Sequence, residues 1–74
     1  MIIGAPKELQ VGEKRVAMTP DSALQLQKLG FECMIETGAG TDAGFPDTSY
    51  KEAGVKIVKT GSSLWKQSDI IIKV

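Results

Sequence analysis

Short apolar runs alternate with helical and polar segments along the chain, and their spacing predicts seven elements. Residues 1–5 form an apolar run closed by Pro6, whose missing backbone N–H ends a strand. Residues 31–37 alternate, which predicts a second strand whose apolar face carries Phe31, Cys33 and Ile35 and whose other face carries Glu32, Met34 and Glu36. Residues 55–58 predict a brief third strand. Residues 69–74 are apolar on both faces, as in a central strand of a parallel sheet covered by helices.

Three helices are predicted between these strands. Thr19 is a capping residue, Pro20 suits the first helical position, and Asp21 faces the positive end of the helix dipole. The first helix then carries an apolar stripe and ends at Gly30. The stripe consists of Ala23, Leu24, Leu26 and Leu29.

The other two helices are shorter. The second begins at Pro46-Asp47 and is ended by Gly54, and the third begins at residues 61–63. The third helix carries Leu64 and Trp65. We expect Trp65 to anchor the core, with an aromatic ring facing a partner as the alternative.

The order strand, helix, strand, helix, strand, helix, strand predicts an α/β fold with right-handed crossovers. The expected architecture is a Rossmann-like (flavodoxin-like) parallel sheet. No helix follows the final strand to cover it, so we expect the sheet to be incomplete and the 74 residues to be a fragment of a longer polypeptide.

Composition and charge exclude several classes of function. Nine basic and nine acidic residues give no net charge, which disfavours a nucleic-acid or membrane partner. Histidine is absent, so the usual general base and the commonest metal ligand are missing. The single Cys33 excludes an internal disulfide and predicts a packed thiol in a cytosolic protein. The apolar runs are too short to span a bilayer, and the opening residues do not resemble a signal peptide.

The glycines at 38, 40 and 44 follow a strand and invite comparison with a dinucleotide-binding loop. Such a loop needs a long helix beginning inside the motif and an acidic residue after the next strand. Here Pro46 starts a fresh turn, and residues 58–60 contain no carboxylate. We therefore predict a tight loop that binds no nucleotide. A receiver domain is also excluded, because no acidic pair follows the first strand.

The cations are more informative. Lys7, Lys14 and Arg15 follow the first strand and Lys73 ends the last, so a parallel sheet would place them at one edge. A guanidinium fork with an ammonium can bind a small carboxylate, which makes Arg15 and Lys73 candidate substrate-binding residues. The alternative is that both are solvated surface charges, or pair with Glu8 and Glu13.

Several blocks of the chain, in order, resemble one known family. They are IGAPKE at 3–8, EKRVAMTP at 13–20, ETGAG at 36–40 and SDIIIKV at 68–74. The chain is similar throughout to the N-terminal domain shared by alanine dehydrogenase and the α subunit of proton-translocating NAD(P) transhydrogenase. Residues 28–31 and 63–74 look more like the transhydrogenase, since alanine dehydrogenases more often have a histidine where this chain has Phe31.

The resemblance implies a Rossmann-like layer without a nucleotide fingerprint, beside a separate NAD-binding domain that these residues do not include. It implies that residues 1–74 form the N-terminal part of the first domain. Arg15 and Lys73 match the arginine and lysine that hold the carboxylate and carbonyl of pyruvate in alanine dehydrogenase. Their role in a transhydrogenase is open, because that reaction needs no keto acid. The family's catalytic histidine and aspartate have no counterpart here.

The leading hypothesis is a catalytically silent N-terminal fragment of a transhydrogenase α subunit, which would bind no cofactor while the parent enzyme uses NAD(H) and NADP(H). The expected partners are the rest of the subunit, a second copy and the β subunit, at the cytoplasmic face of a membrane. The alternatives are a fragment of alanine dehydrogenase, and a non-catalytic carboxylate-binding or assembly module.

Overall fold

The computed structural model describes all residues, 1–74, and contains the seven predicted elements. Four parallel strands alternate with three helices. The strands are β1 (Ile2–Ala5), β2 (Glu32–Glu36), β3 (Lys56–Val58) and β4 (Ile70–Ile71), and the helices are α1 (Pro20–Lys28), α2 (Asp47–Glu52) and α3 (Gly61–Gln67). The predicted α/β class is confirmed.

The strands lie in the order β3-β2-β1-β4. The chain moves outward from β1 to β3, and α3 then carries it back so that β4 pairs with the free side of β1. Ile3 lies opposite Cys33 on one side and opposite Ile70 on the other. This is the order of a Rossmann sheet, whereas a flavodoxin-like sheet would begin β2-β1-β3. The Rossmann-like description is therefore the accurate one.

Helix α1 forms for the reasons that its sequence predicts. The Thr19 hydroxyl accepts a hydrogen bond from the Ser22 N–H at 3.1 Å, and the Ser22 hydroxyl accepts one from the Thr19 N–H at 2.8 Å. This reciprocal cap satisfies two N–H groups that the helix leaves free. The helix ends before Gly30, whose φ of +96° is readily adopted only by glycine.

The sheet has a core on each face, and the two differ in size. Helices α1 and α2 cover one face, where ten buried residues form the main core. Helix α3 covers the other, where Met34, Val58 and Leu64 form a smaller core. The Gln27 side chain on α1 donates to the Ala53 carbonyl at 2.7 Å and so joins α1 to the end of α2.

Three sequence-based expectations about packing are corrected. Met34, assigned to the polar face of β2, is buried against α3, because this strand is covered on both sides. Leu24 and Leu29 are exposed, so that only part of the α1 stripe faces the sheet. Trp65 is 55% exposed and does not anchor the core, because Leu64 alone occupies the inward position of this short helix.

The last strand is shorter than the sequence predicts. The apolar run spans residues 69–74, whereas β4 contains only Ile70 and Ile71 and pairs with β1. Within residues 1–74 it is the last strand in the order β3-β2-β1-β4, and Ile70 is 39% exposed. That β4 is a central strand stays a prediction, together with the expectation that this sheet is incomplete.

Candidate functional site

The strand order creates a topological switch point at the carboxyl end of the sheet. Since β2 and β3 lie on one side of β1 and β4 lies on the other, the segments that leave β1 and β4 diverge at their carboxyl ends. Ligands of open α/β sheets bind at such a switch point. We call this region the switch-point crevice; the 6–18 loop after β1 and residues 72–74 after β4 lie beside it.

A hydrogen bond joins the two sides of the crevice. The Glu8 carboxylate accepts from the backbone N–H of Val74 at 3.1 Å. The 6–18 loop therefore contacts the residue that follows Lys73. A second bond ties the start of the loop to β2, because the Lys7 N–H donates to the Glu36 carboxylate at 2.9 Å.

Arg15 lies in the 6–18 loop and is already paired. Its Nε–H and Nη2–H groups donate to the two oxygens of Glu13, each at 2.9 Å. The pair holds the pKa of the Glu13 carboxyl at about 2, and it raises the pKa of the Arg15 guanidinium, to which the nearby Glu8 charge also contributes. Of the alternatives that the sequence left open, pairing with Glu13 is the one that forms.

Lys73 is in a different state from Arg15. Its side chain is exposed, and its ammonium makes no hydrogen bond or ion pair. The candidate site within residues 1–74 thus combines an exposed ammonium with a guanidinium that is held by a carboxylate. Whether Arg15 and Lys73 bind a substrate stays a prediction.

Backbone angles and a contact with Tyr50 determine the conformation of the glycine-rich loop, residues 36–44. Gly38 and Gly44 have positive φ angles, and a short 3₁₀ turn at Thr41–Ala43 separates them. Gly40 lies against the Tyr50 ring, where any β-carbon would overlap the phenol. The Tyr50 hydroxyl in turn donates to the Met18 carbonyl at 2.7 Å.

An internal carboxylate accepts hydrogen bonds from two groups at the start of this loop. Asp47 accepts from the Gly38 N–H at 2.9 Å and from the Thr37 hydroxyl at 2.5 Å, and these bonds lower the pKa of its carboxyl group. Helix α2 begins only at Asp47 and has six residues, so no long helix starts within the motif. The geometry agrees with the predicted tight loop.

The cavity of the molecule lies away from the candidate residues. It measures about 490 Å³ and opens at the amino ends of the strands, with Ile2, Glu32, Lys56 and Gln67 in its wall. Cys33 also lines it, but its thiol is buried, donates weakly to the Ala23 carbonyl and has a raised pKa because of desolvation. Cys33 is thus the packed thiol that the sequence predicts. The candidate substrate-binding residues, Arg15 and Lys73, lie at the opposite end of the sheet.

Sequence reasoning missed two contacts of the site. The bond between Glu8 and Val74 joins residues 66 positions apart, and no local pattern signals it. The Asp47 contact with Gly38 could have been suspected from an acidic residue close after a glycine loop.

No helix is both long and apolar enough to cross a bilayer, and no group of side chains has the composition of a metal site.

Comparison with known families decides the relationship. Residues 4–74 match the family model described as the alanine dehydrogenase/PNT N-terminal domain. The chain belongs to this family. The resemblance seen in the sequence blocks is thereby confirmed, and so is the α/β Rossmann-like fold.

Relatives within the alanine dehydrogenase/PNT family include both enzymes. The chain is 60% identical over all 74 residues to the NAD(P) transhydrogenase subunit alpha of Cereibacter sphaeroides, of which it covers 14%. It superposes on a solved L-alanine dehydrogenase with a TM-score of 0.93 at 38% identity, covering 99% of this chain and 20% of that one. A solved transhydrogenase from Sinorhizobium meliloti gives a TM-score of 0.91 at 34% identity, covering 99% of this chain and 21% of that one. The chain thus spans between a seventh and about a fifth of each of these relatives.

Proposed function

We propose that the chain is the N-terminal segment of an NAD(P) transhydrogenase α subunit. The complete enzyme would transfer hydride between NADH and NADP⁺ and couple the transfer to proton movement. The observation that supports this choice is the 60% and 50% identity to two transhydrogenase α subunits, against 36% to 43% for the curated alanine dehydrogenases. Fold similarity does not discriminate between the two, since both solved relatives superpose closely.

Within that enzyme the segment would be catalytically silent. It has no histidine to act as a base at neutral pH, and Asp47 already accepts the hydrogen bond that the Gly38 N–H could offer to a phosphate. NAD(H) and NADP(H) would be bound by other parts of the enzyme. The partners would be the rest of the subunit, a second copy and the β subunit, with the segment on the cytoplasmic side of the membrane.

A second candidate is alanine dehydrogenase, which interconverts L-alanine and pyruvate with NAD. It is favoured by the bond between Glu8 and Val74, which brings the loop of Arg15 against the end of β4. In this candidate Arg15 and Lys73 would hold the carboxylate and the carbonyl of pyruvate at the switch-point crevice. An arginine with a lysine provides the fork and the point charge that such a ligand needs.

Activity of the complete enzyme tests the choice. The transhydrogenase proposal expects NADP⁺ reduction by NADH in the assembled enzyme and no NADH formation from L-alanine. Alanine-dependent NADH formation that is lost in both Arg15→Ala and Lys73→Ala would favour the second candidate. Unchanged alanine oxidation in both variants would remove the role assigned to these residues.

Cofactor binding by the 74-residue chain is tested separately. We expect no heat when NADH is titrated into it by calorimetry, because no loop offers free N–H groups at the start of a long helix. Stoichiometric binding at micromolar affinity would contradict the interpretation of the glycine loop.

A further inference from the structure

The contact between Glu13 and Arg15 involves more than an exposed ion pair usually does. Oε1 of Glu13 accepts from both the backbone N–H and the Nε–H of Arg15, and Oε2 accepts from Nη2–H, each at 2.9 Å. The two residues lie in the 6–18 loop, which contains no helix or strand. One carboxylate therefore fixes both the backbone and the side chain of Arg15 in an otherwise irregular segment. We call this arrangement the Glu13 clamp.

The Glu13 clamp leaves one edge of the guanidinium free. A guanidinium carries five N–H donors in a rigid plane. The clamp uses the edge formed by Nε and Nη2, while the edge formed by Nη1 and Nη2 makes no hydrogen bond within the chain. The Arg15 side chain is 76% exposed, so solvent reaches this second edge, whereas the Glu13 side chain is only 15% exposed. Two carboxylates can thus bind one guanidinium at the same time, on different edges.

We propose that Glu13 is a positioning residue that holds Arg15 so that its Nη1–Nη2 edge is presented to a small carboxylate ligand. This inference rests on the carboxylate site described for the second candidate function. Holding the side chain before the ligand arrives lowers the entropy cost of binding. The lowered pKa of Glu13 extends the charged state of the clamp from neutral into acidic pH.

The test uses the complete enzyme that contains these residues, labelled with ¹⁵N and titrated with pyruvate at constant ionic strength. In the unaltered chain the Arg15 Nε–H is expected to exchange slowly with water and to give a separate NMR signal. Glu13→Gln keeps the size of the side chain but replaces one acceptor oxygen with a donor that opposes Nη2–H. This variant should lose the Nε–H signal and bind pyruvate about tenfold more weakly.

Two variants serve as controls. Glu52→Gln removes the same charge from the exposed end of α2, outside the crevice, and should leave both measurements unchanged. Arg15→Ala should abolish pyruvate binding. Because Arg15 is exposed and Glu13 is only partly buried, the remaining amide signals should keep their native positions in every variant.

The outcomes separate the inference from the function on which it rests. If pyruvate binds to the unaltered chain but not to Arg15→Ala, and Glu13→Gln binds as well as or better than the unaltered chain, the clamp does not position Arg15 and the inference alone fails. If the unaltered chain shows no pyruvate-dependent shifts at Arg15, the carboxylate site fails and takes the role of Glu13 with it. Weaker binding in Glu13→Gln, with Glu52→Gln unchanged, supports both.

Discussion

The two faces of the sheet are built from the same strands but bury very different numbers of residues. Under α1 and α2, ten buried residues form the main core, and Tyr50 spans it from α2 to the Met18 carbonyl. Under α3, three buried residues form the smaller core, and Trp65 beside them is exposed. The difference follows from helix number, because two helices cover the first face and one seven-residue helix covers the second. The main core should therefore carry most of the free energy of unfolding.

The largest expected effect is at the centre of the main core. Ile35 is fully buried on β2, and Ile35→Ala removes three carbon atoms from a site that is packed on all sides. We expect a loss of about 3 to 4 kcal/mol in the free energy of unfolding, measured by urea denaturation. Ile35→Val is the matched control and should lose only about 1 kcal/mol. Equal losses in the two variants would mean that the main core is loosely packed.

A smaller effect is expected at the other face. Leu64 is the one buried residue of α3, and Leu64→Ala should cost about 2 to 3 kcal/mol because the helix can settle toward the sheet. Hydrogen exchange should speed up in α3 before it does in β2. Trp65→Ala is the control and should change stability by less than about 1 kcal/mol, since more than half of this side chain is already in water. A greater loss from Trp65→Ala than from Leu64→Ala would reverse the assignment of the inward position.

Tyr50→Phe tests the polar contact that crosses the main core. The change leaves the Met18 carbonyl without its donor in a buried environment, and we expect a loss of about 1 to 2 kcal/mol. Burial raises the pKa of the Tyr50 phenol to about 12, so the hydroxyl remains a donor throughout the neutral range. Unfolding by urea at pH 7 gives the measurement. A stability equal to that of the unaltered chain would indicate that water replaces the lost hydroxyl.

The smallest effect lies outside both cores, at the Glu13 clamp. The pKa of Glu13 is lowered from 4.5 to about 2, so its contribution to stability is complete above pH 4.5 and is lost as the pH falls toward 2. Added salt should shrink this contribution, because the Arg15 partner is largely exposed to solvent. The carboxyl carbon of Glu13, followed by NMR from pH 6 to pH 1.5, should titrate near pH 2. A midpoint near 4.5 would show that the clamp does not persist in solution.

The sequence predicted the elements well and the packing only in part. The Thr19 cap, Pro20 and Gly30 act through local hydrogen bonds and backbone angles, and their neighbours in sequence are sufficient to reveal them. Met34 could not be placed in this way, since alternation on β2 suggests one apolar face while α3, 27 or more positions later, covers the other. Trp65 follows Leu64 directly, and adjacent helical residues point about 100° apart, so only one of the two can face the sheet.

The sequence predicted where the candidate site residues lie in the fold, but it did not predict which acidic residue pairs with Arg15. Parallel strands place Lys73 and the loop of Arg15 at one end of the sheet, and the alternation of elements was enough to show this. Which acidic residue would pair with Arg15 depended on side-chain conformations within an irregular loop. Such a loop lacks the fixed spacing that makes helix neighbours predictable.

The pairing of β1 with β4 also bears on the order in which the molecule assembles. Ile2 and Asp69 exchange two hydrogen bonds, of 2.7 and 2.8 Å, across 67 positions of sequence. Closing so long a loop costs entropy, and the pairing of β1 with the two-residue strand β4 offsets only part of that cost. By contrast, β1 and β2 pair over four residues and are separated by a shorter stretch of sequence. We expect β4 to join a sheet that has already formed. Lys73 would then take its place late in folding, so the crevice is completed only on a framework that is already rigid.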